Sequence, residues 1–342
     1  MAISDSQSAH LQPQIVQLSD GHQLRSALQG LHPVLTHLNA DTTWLIQLPF
    51  PPSAPRPTGR SRFNILVDPW LQGPQSDVAS WFSTQWHVVK PSVKTIDELN
   101  RLLAKVEGAD AAVEDNVDNP KSYIDAVAIS HEFTDHCHEE TLKELLPSTP
   151  VFATEKAAEL IRSWKHFDRV ITTPGFSSET KDWHSILSVA PLPSWIGIGR
   201  VITAGNALYY HSAVMVVFDT ASANAVIYSP HGIKASDLEA VGAANIRTLA
   251  LLHGLHDVRI WMTKQLNLGA LNGLEAVRTC GAKYWLATHD EVKKGGGFIA
   301  PMLRRTKYTV ADAVNKETKS LGDKAPNYEF VELGSGDGLV LV

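Results

Sequence analysis

Short, continuous runs of apolar and β-branched residues recur along the first half of the chain and predict buried strands. Residues 41–48, 63–67 and 123–130 form runs of this kind, and the second run stops at an Asp-Pro pair. Between them, apolar residues at helical spacing over 94–107 predict a helix.

The second half of the chain alternates between predicted strands and predicted helices. Strands are expected over 150–153, 186–190, 200–202, 213–219, 225–228, 248–252, 283–287, 328–333 and 339–342. Helices are expected over 142–146, 155–164, 235–241, 268–280 and 310–320. Blocks of strands followed by helices predict a layered α/β sandwich, and no G-x-G-x-x-G motif follows the first strand to support a dinucleotide-binding fold.

Three polar or proline-rich segments interrupt this pattern. Residues 1–20 predict a loose N-terminal arm that folds back as an edge strand, and residues 49–62 form a proline-rich loop that cannot join a sheet interior. Residues 108–122 are acidic and rich in turn formers, which predicts a surface insertion. We expect residues 1–342 to form one domain, because α/β sandwiches of this size often fold as one unit.

Composition and charge indicate which kinds of binding partner do not suit this chain, and which cell compartment fits it. The chain has 342 residues, 44% of them hydrophobic, and a formal net charge of -6. Without a basic field we expect no nucleic-acid partner, and without a run of eighteen apolar residues we expect no membrane span. Two cysteines and a polar N-terminus predict a cytoplasmic protein with neither a disulfide framework nor a signal peptide. The low charge disfavours a polyanionic substrate, and the oligomeric state stays open.

The segment after the predicted strand 123–130 concentrates groups that bind metals. It reads S-H-E-F-T-D-H-C-H-E-E-T-L over residues 130–142 and places His131, Asp135 and His136 in one loop. The C-terminal ends of strands in open α/β sheets are where ligands bind. A carboxylate combined with imidazoles suits Zn, Fe or Mn, so we expect a divalent metal site here.

This loop resembles the His-x-His-x-Asp-His motif of the metallo-β-lactamase superfamily. Three other segments match the family's strands in the same order: FNILVDPWL with Asp68 at its strand end, AVIYSPHG at 225–232 and LATHDE at 287–292. The resemblance covers about residues 40–300 and implies a four-layer αββα sandwich. The pattern is most similar to the branch of UlaG-like and N-acyl-phosphatidylethanolamine phospholipase-like proteins.

The motif departs from the family at positions that bear on metal binding. The family's second motif His is Phe133 here, and His231 or Gly232 stands in place of its bridging Asp. The three ligands of the family's second metal position survive as Asp135, His136 and His289. The resemblance therefore implies one metal per chain, zinc with iron or manganese as alternatives, or an unusual pair that uses His231.

Each candidate ligand also has a structural alternative. Asp135 and His136 also fit a helix N-cap followed by a surface histidine, and His289 fits a strand-end histidine paired with Asp290. His231 is expected as a fourth ligand or proton donor, or else as a turn residue.

The remaining candidates surround the ligands. His131 is expected as a supporting group or a general base, and Asp68 as a support for the ligands or a simple strand end. His211 is the best match to the family's third His, although an aromatic cluster explains it as well. His253 fits the mouth of the site or a structural role.

Two classes of function follow, and a third option fits the same residues. The first is a hydrolase in which a metal activates water against a small ester, lactone, amide or phosphodiester, with His131, Asp135 and His231 as catalytic groups. The second is a degenerate member that binds a small molecule or partner, as Phe133 and the missing Asp indicate. A mononuclear iron enzyme that uses oxygen also fits two histidines and one carboxylate.

Overall fold

The structure is a computed structural model. It describes residues 13–76, 81, 83–108, 122–202, 211–220, 222–260, 264–296, 298, 302–309, 311–315 and 328–342. Most of the expected N-terminal arm and of the expected insertion at 108–122 lies outside these residues.

Two large sheets form the centre of the described part of the chain. The first sheet runs in the order β1 (Ile15–Gln17), β20 (Asp337–Val340), β2 (Val34–His37), β3 (Trp44–Pro49), β4 (Arg62–Val67), β6 (Ala126–Ile129), β7 (Val151–Ala153) and β8 (Val170–Thr172). The second runs in the order β19 (Glu329–Val331), β16 (Tyr284–Leu286), β13 (Arg247–His253), β12 (Ala223–Ser229), β11 (Ser212–Asp219), β10 (Ile196–Ile202) and β9 (Gly175–Phe176).

Smaller elements complete the fold. A three-stranded sheet contains β14 (Asp257–Ile260), β15 (Lys264–Leu268) and β18 (Leu303–Thr306), and a two-stranded ribbon pairs β5 (Thr84–Trp86) with β17 (Lys294–Gly296). The described helices are α1 (Gly21–Gln29), α2 (Ile96–Glu107), α3 (Glu139–Leu142), α4 (Glu155–Ser163), α5 (Trp183–Leu187), α6 (Glu239–Ala243) and α7 (Gly269–Cys280). None of these helices has the length and apolar character needed to cross a bilayer.

Alternate residues along the strands face opposite layers of the core. On β4, Ile65 packs between the two sheets whereas Leu66 packs with residues of α1, α2 and α4. On β12, Val226 packs between the sheets whereas Ile227 packs with residues of α5 and α7. Because successive strand residues point to opposite faces, each sheet buries one face against the other sheet and one against helices. The predicted four-layer αββα sandwich is therefore confirmed.

The predicted strand over 186–190 is wrong, because its first residues belong to helix α5. Asp182 caps this helix by accepting a hydrogen bond from the backbone N–H of His184 at 3.1 Å. Trp183 and Leu187 lie one turn apart and pack closely over Gly197 of β10. An apolar run of five residues does not by itself distinguish a strand from a buried helix.

Other segments agree with their predictions in part. Within the predicted arm, Ile15–Gln17 pairs with β20 as an edge strand. The predicted helix over 142–146 is displaced, since α3 spans Glu139–Leu142. Residues 311–315 of the predicted last helix are helical, and 310 and 316–320 lie outside the described residues.

The buried side chain of Arg62 closes the C-terminal end of α1. Its guanidinium donates hydrogen bonds at 2.6–3.2 Å to four backbone carbonyls, those of Ala27, Leu28, Gly30 and His32. The last carbonyls of a helix have no partner within the helix, so this one side chain satisfies groups that burial would otherwise leave without hydrogen bonds.

We predict that Arg62→Met lowers the free energy of unfolding by about 2–4 kcal/mol, because several buried carbonyls lose their donors. Chemical denaturation monitored by circular dichroism measures the change. Arg101→Met is the matched control, since Arg101 is exposed and pairs with the equally exposed Asp97 on the surface of α2; its effect should stay within about 0.5 kcal/mol. Equal effects of the two substitutions would contradict the assigned role of Arg62.

Candidate metal centre

The candidate centre lies where strand ends from both sheets meet. Asp68 follows β4, the loop with His131 and His136 follows β6, His231 follows β12 and His289 follows β16. β4 and β6 are parallel neighbours in one sheet, and β12, β13 and β16 are parallel neighbours in the other. Parallel strands bring their C-terminal ends to one edge, so residues more than 200 positions apart in sequence come together there.

Asp68 anchors the loop that follows β6. Its carboxylate accepts hydrogen bonds from the backbone N–H of Ser130 at 2.7 Å, from the Ser130 hydroxyl, and from Nδ1 of His136 at 2.7 Å. The Ser130 hydroxyl in turn accepts from Nδ1 of His131 at 2.8 Å. Because both Nδ1 atoms carry the proton in this network, both histidines present Nε2 as an acceptor.

Asp41 orients His289 in the same way from the other side. Nδ1 of His289 lies 3.2 Å from Oδ1 of Asp41, which turns Nε2 of His289 toward Asp135. The backbone is constrained here too: His289 has φ 58° and Asp68 has φ 42°, in the left-handed region that non-glycine residues seldom occupy. Such conformations cluster at functional sites, where the surrounding structure holds them in place.

Short contacts link four candidate ligands in the order His231, His136, Asp135 and His289. Nε2 of His136 lies 2.9 Å from Nε2 of His231 and 3.7 Å from Oδ1 of Asp135, and Nε2 of His289 lies 3.8 Å from Oδ2 of Asp135. Ligands bound tetrahedrally to zinc lie about 3.3 Å apart, given bonds of about 2.0–2.1 Å. The spacing of these donors and their chemistry therefore fit a divalent metal ion.

His136 belongs to two overlapping groups of candidate ligands. The atoms of each group lie within 4.8 Å of one another: one group is His131, His136 and His231, and the other is Asp135, His136 and His289. The structure therefore brings together every residue that the sequence predicted as a metal ligand.

Burial and neighbouring charges set the protonation of these groups. Burial alone would raise the pKa of Asp135, but Lys293, His136 and His289 hold that pKa well below its usual range. Burial lowers the pKa of His289 and, together with nearby histidines, takes that of His231 well below normal. Burial also opposes a charge on His136, yet the adjacent carboxylates raise its pKa. An ionised carboxylate and neutral imidazoles are the forms that bind metals, so the shifts in pKa favour metal binding at Asp135, His231 and His289 and oppose it at His136.

Phe133 lies against two candidate ligands, and His138 caps the helix that follows them. The ring of Phe133 stacks on His131 at 6.0 Å between centroids and lies 6.1 Å from the ring of His231. His138 is buried and caps α3, with its Nδ1 accepting from the backbone N–H of Thr141 at 3.3 Å. The helix cap is thus His138, and the alternative that made Asp135 the cap of this helix is wrong.

His211 and His253 belong to neither group of candidate ligands. Nε2 of His211 contacts the carbonyl of Leu266 at 3.0 Å. His253 ends β13, and its Nε2 contacts the side-chain oxygen of Asn272 at 2.9 Å. Both contacts join backbone or side chains of neighbouring elements, which fits a structural role for these two histidines.

Sequence reasoning missed two charged residues of the centre. Asp41 is fully buried, and Lys293 has a side chain only 5% exposed. Lys293 donates to Oδ2 of Asp135 at 2.8 Å and lies 2.6 Å from Oδ2 of Asp41. In the sequence, Lys293 stands four residues after His289. This spacing is common in proteins and does not by itself predict a contact with the centre.

Comparison with known proteins supports the fold. No family model and no curated protein matches the sequence. A possible metal-dependent hydrolase from Veillonella parvula has a similar structure, with a TM-score of 0.54 at 15% identity over 91% of this chain and 100% of that one. An isothiocyanate hydrolase from Delia radicum gut bacteria is similar with a TM-score of 0.52, at 14% identity over 90% of this chain and 99% of that one. A mutant of the CmlA β-hydroxylase gives 0.50 at 13% identity over 90% of this chain and 54% of that one. With the sheet order described above, these likenesses show that the chain has the metallo-β-lactamase fold.

We predict that Asp68→Asn weakens the affinity for zinc by about 10–100-fold, because an amide cannot accept all the hydrogen bonds that orient His136 and Ser130. Asparagine tolerates the left-handed backbone at this position, so the fold should persist. Competition with a chromophoric chelator measures the affinity. Asp97→Asn, a change of an exposed carboxylate on α2, serves as the control. If Asp68→Asn leaves the affinity for zinc unchanged, Asp68 does not support metal binding.

Proposed function

We propose that this protein is a metal-dependent hydrolase whose metal ion is held by Asp135, His136 and His289, with His231 as a fourth ligand. The observation that carries the proposal is the orientation of the histidines. Nδ1 of His136 and of His289 each lies against a buried carboxylate, which directs Nε2 of both rings toward Asp135. Histidines that bind metals almost always engage their second ring nitrogen in this way.

The donor set favours zinc, with iron or manganese as alternatives and one ion per chain. Imidazoles combined with one carboxylate suit these metals better than calcium or magnesium, which prefer oxygen ligands. A divalent ion supplies a Lewis acid that lowers the pKa of water and polarises a carbonyl or phosphoryl oxygen.

We assign His131 the role of general base. Its Nδ1 proton is held by Ser130, whose hydroxyl donates to Asp68, so Nε2 is the atom that accepts a proton from water. Its ring lies 4.6 Å from that of His231 and 5.2 Å from that of His136, between centroids, so it adjoins the ligands. When His131 becomes charged, the Asp68 carboxylate two hydrogen bonds away stabilises the imidazolium.

The proposed substrate is a small molecule with an ester, lactone, amide or phosphodiester bond. The formal charge of -6 opposes binding of a polyanionic nucleic acid. The motif pattern favours the branch of UlaG-like and N-acyl-phosphatidylethanolamine phospholipase-like proteins. Because an isothiocyanate hydrolase has a similar fold, isothiocyanates belong in the same screen.

Oxygen-dependent hydroxylation is the second candidate function. Two histidines and one carboxylate are the ligand set of many non-haem iron oxygenases, and a β-hydroxylase shares the fold. Iron in the purified protein and oxygen consumption would favour this function over hydrolysis. Absence of any metal would instead favour a degenerate binding protein, which the replacement of the second motif His by Phe133 would then explain.

We predict that His136→Ala removes most of the bound metal and abolishes hydrolysis of any substrate found, because His136 is shared by both groups of candidate ligands. Metal content is measured by inductively coupled plasma mass spectrometry, and the fold by circular dichroism. His184→Ala is the control, since His184 is half-exposed on α5. A His136→Ala protein that keeps one equivalent of metal would show that the metal binds elsewhere.

A further inference from the structure

A buried lysine lies inside the candidate metal centre. Lys293 immediately precedes β17, and this strand pairs with β5 in the two-stranded ribbon. The ammonium group lies 5.2 Å from the centre of the Trp70 ring. The side chain is only 5% exposed, so a charged group is held in the interior although lysine normally remains in water.

Two carboxylates hold the ammonium. It lies 2.6 Å from Oδ2 of Asp41 and 2.8 Å from Oδ2 of Asp135. Their other oxygens face the proposed ligands: Oδ1 of Asp41 lies 3.2 Å from Nδ1 of His289, and Oδ1 of Asp135 lies 3.7 Å from Nε2 of His136. Lys293 is thus one cation in a site whose carboxylates are shared with the proposed metal ligands.

The charges of the centre determine how many cations it can hold. Three buried carboxylates, those of Asp41, Asp68 and Asp135, contact the histidines of the centre, and Lys293 supplies one positive charge. With neutral histidines the excess is two negative charges, which one divalent ion balances. Buried charges are stable when they are paired, so a second divalent ion would leave an uncompensated excess of positive charge.

We infer that Lys293 is the second cation of this centre and limits it to one metal ion. The inference rests on the proposed metal-dependent function. The ammonium occupies the position between Asp41 and Asp135 where a second divalent ion would find two carboxylate oxygens. By holding Oδ2 of Asp135, Lys293 also keeps Oδ1 of the same carboxylate turned toward His136, which makes it a positioning residue.

The experiment is a titration of chelator-treated protein with Zn²⁺ and, separately, with Mn²⁺, followed by calorimetry and by elemental analysis after desalting. Wild type should saturate at one equivalent. Lys293→Ala should saturate at two, a twofold rise, because the vacated position exposes two carboxylate oxygens to a second ion. Lys293→Arg, which keeps the positive charge, should remain at one.

Lys294→Ala is the matched control, since the neighbouring lysine is exposed and should leave the stoichiometry at one. Thermal melting of each variant reports whether it folds. One equivalent in both wild type and Lys293→Ala would overturn the role of Lys293 and leave the proposed function intact. Two equivalents in wild type would overturn it even if Lys293→Ala failed to fold. No metal in wild type would overturn the proposed function and, with it, the role of Lys293.

Discussion

The hydrogen bonds of Asp68 are the interaction on which the candidate centre depends. This carboxylate follows β4 and holds the loop after β6 through the backbone and the hydroxyl of Ser130 and through the ring of His136. One side chain thereby fixes the path of the loop and the tautomer of a proposed ligand. A buried ionised group is costly without such partners, so the network that satisfies Asp68 also specifies the site.

A buried carboxylate also orients the histidine on the opposite side of the centre. The Asp41 carboxylate contacts Nδ1 of His289, just as the Asp68 carboxylate contacts Nδ1 of His136. The two carboxylates come from different loops. Lys293 joins Asp41 to Asp135 and completes a chain of alternating charges. Each member is buried and paired, and the pairing explains how a sandwich with an apolar core tolerates so many ionisable groups at one edge.

The backbone at this edge is also strained. Asp68 and His289 both have positive φ values, and each follows a strand by one to three residues. The conformation turns the chain at the strand end, where the side chain of Asp68 contacts the loop after the neighbouring strand β6 and that of His289 contacts Asp41 of the other sheet. The contacts of the rigid αββα core compensate for this strain, because the strands on either side are fixed by packing on both faces.

The sequence by itself determined the buried strands, the layered α/β class and the loop that carries Asp135 and His136, because these depend on neighbours within a few residues. A short apolar run is ambiguous, so residues 186–190 predict a strand although helix α5 ends at Leu187. Only the tertiary structure decided that Asp41 meets His289, 248 residues away, and that Lys293 meets Asp135, 158 residues away. Those contacts depend on which strand ends share an edge of the sandwich. The spacing of residues along the sequence does not show which strands these are.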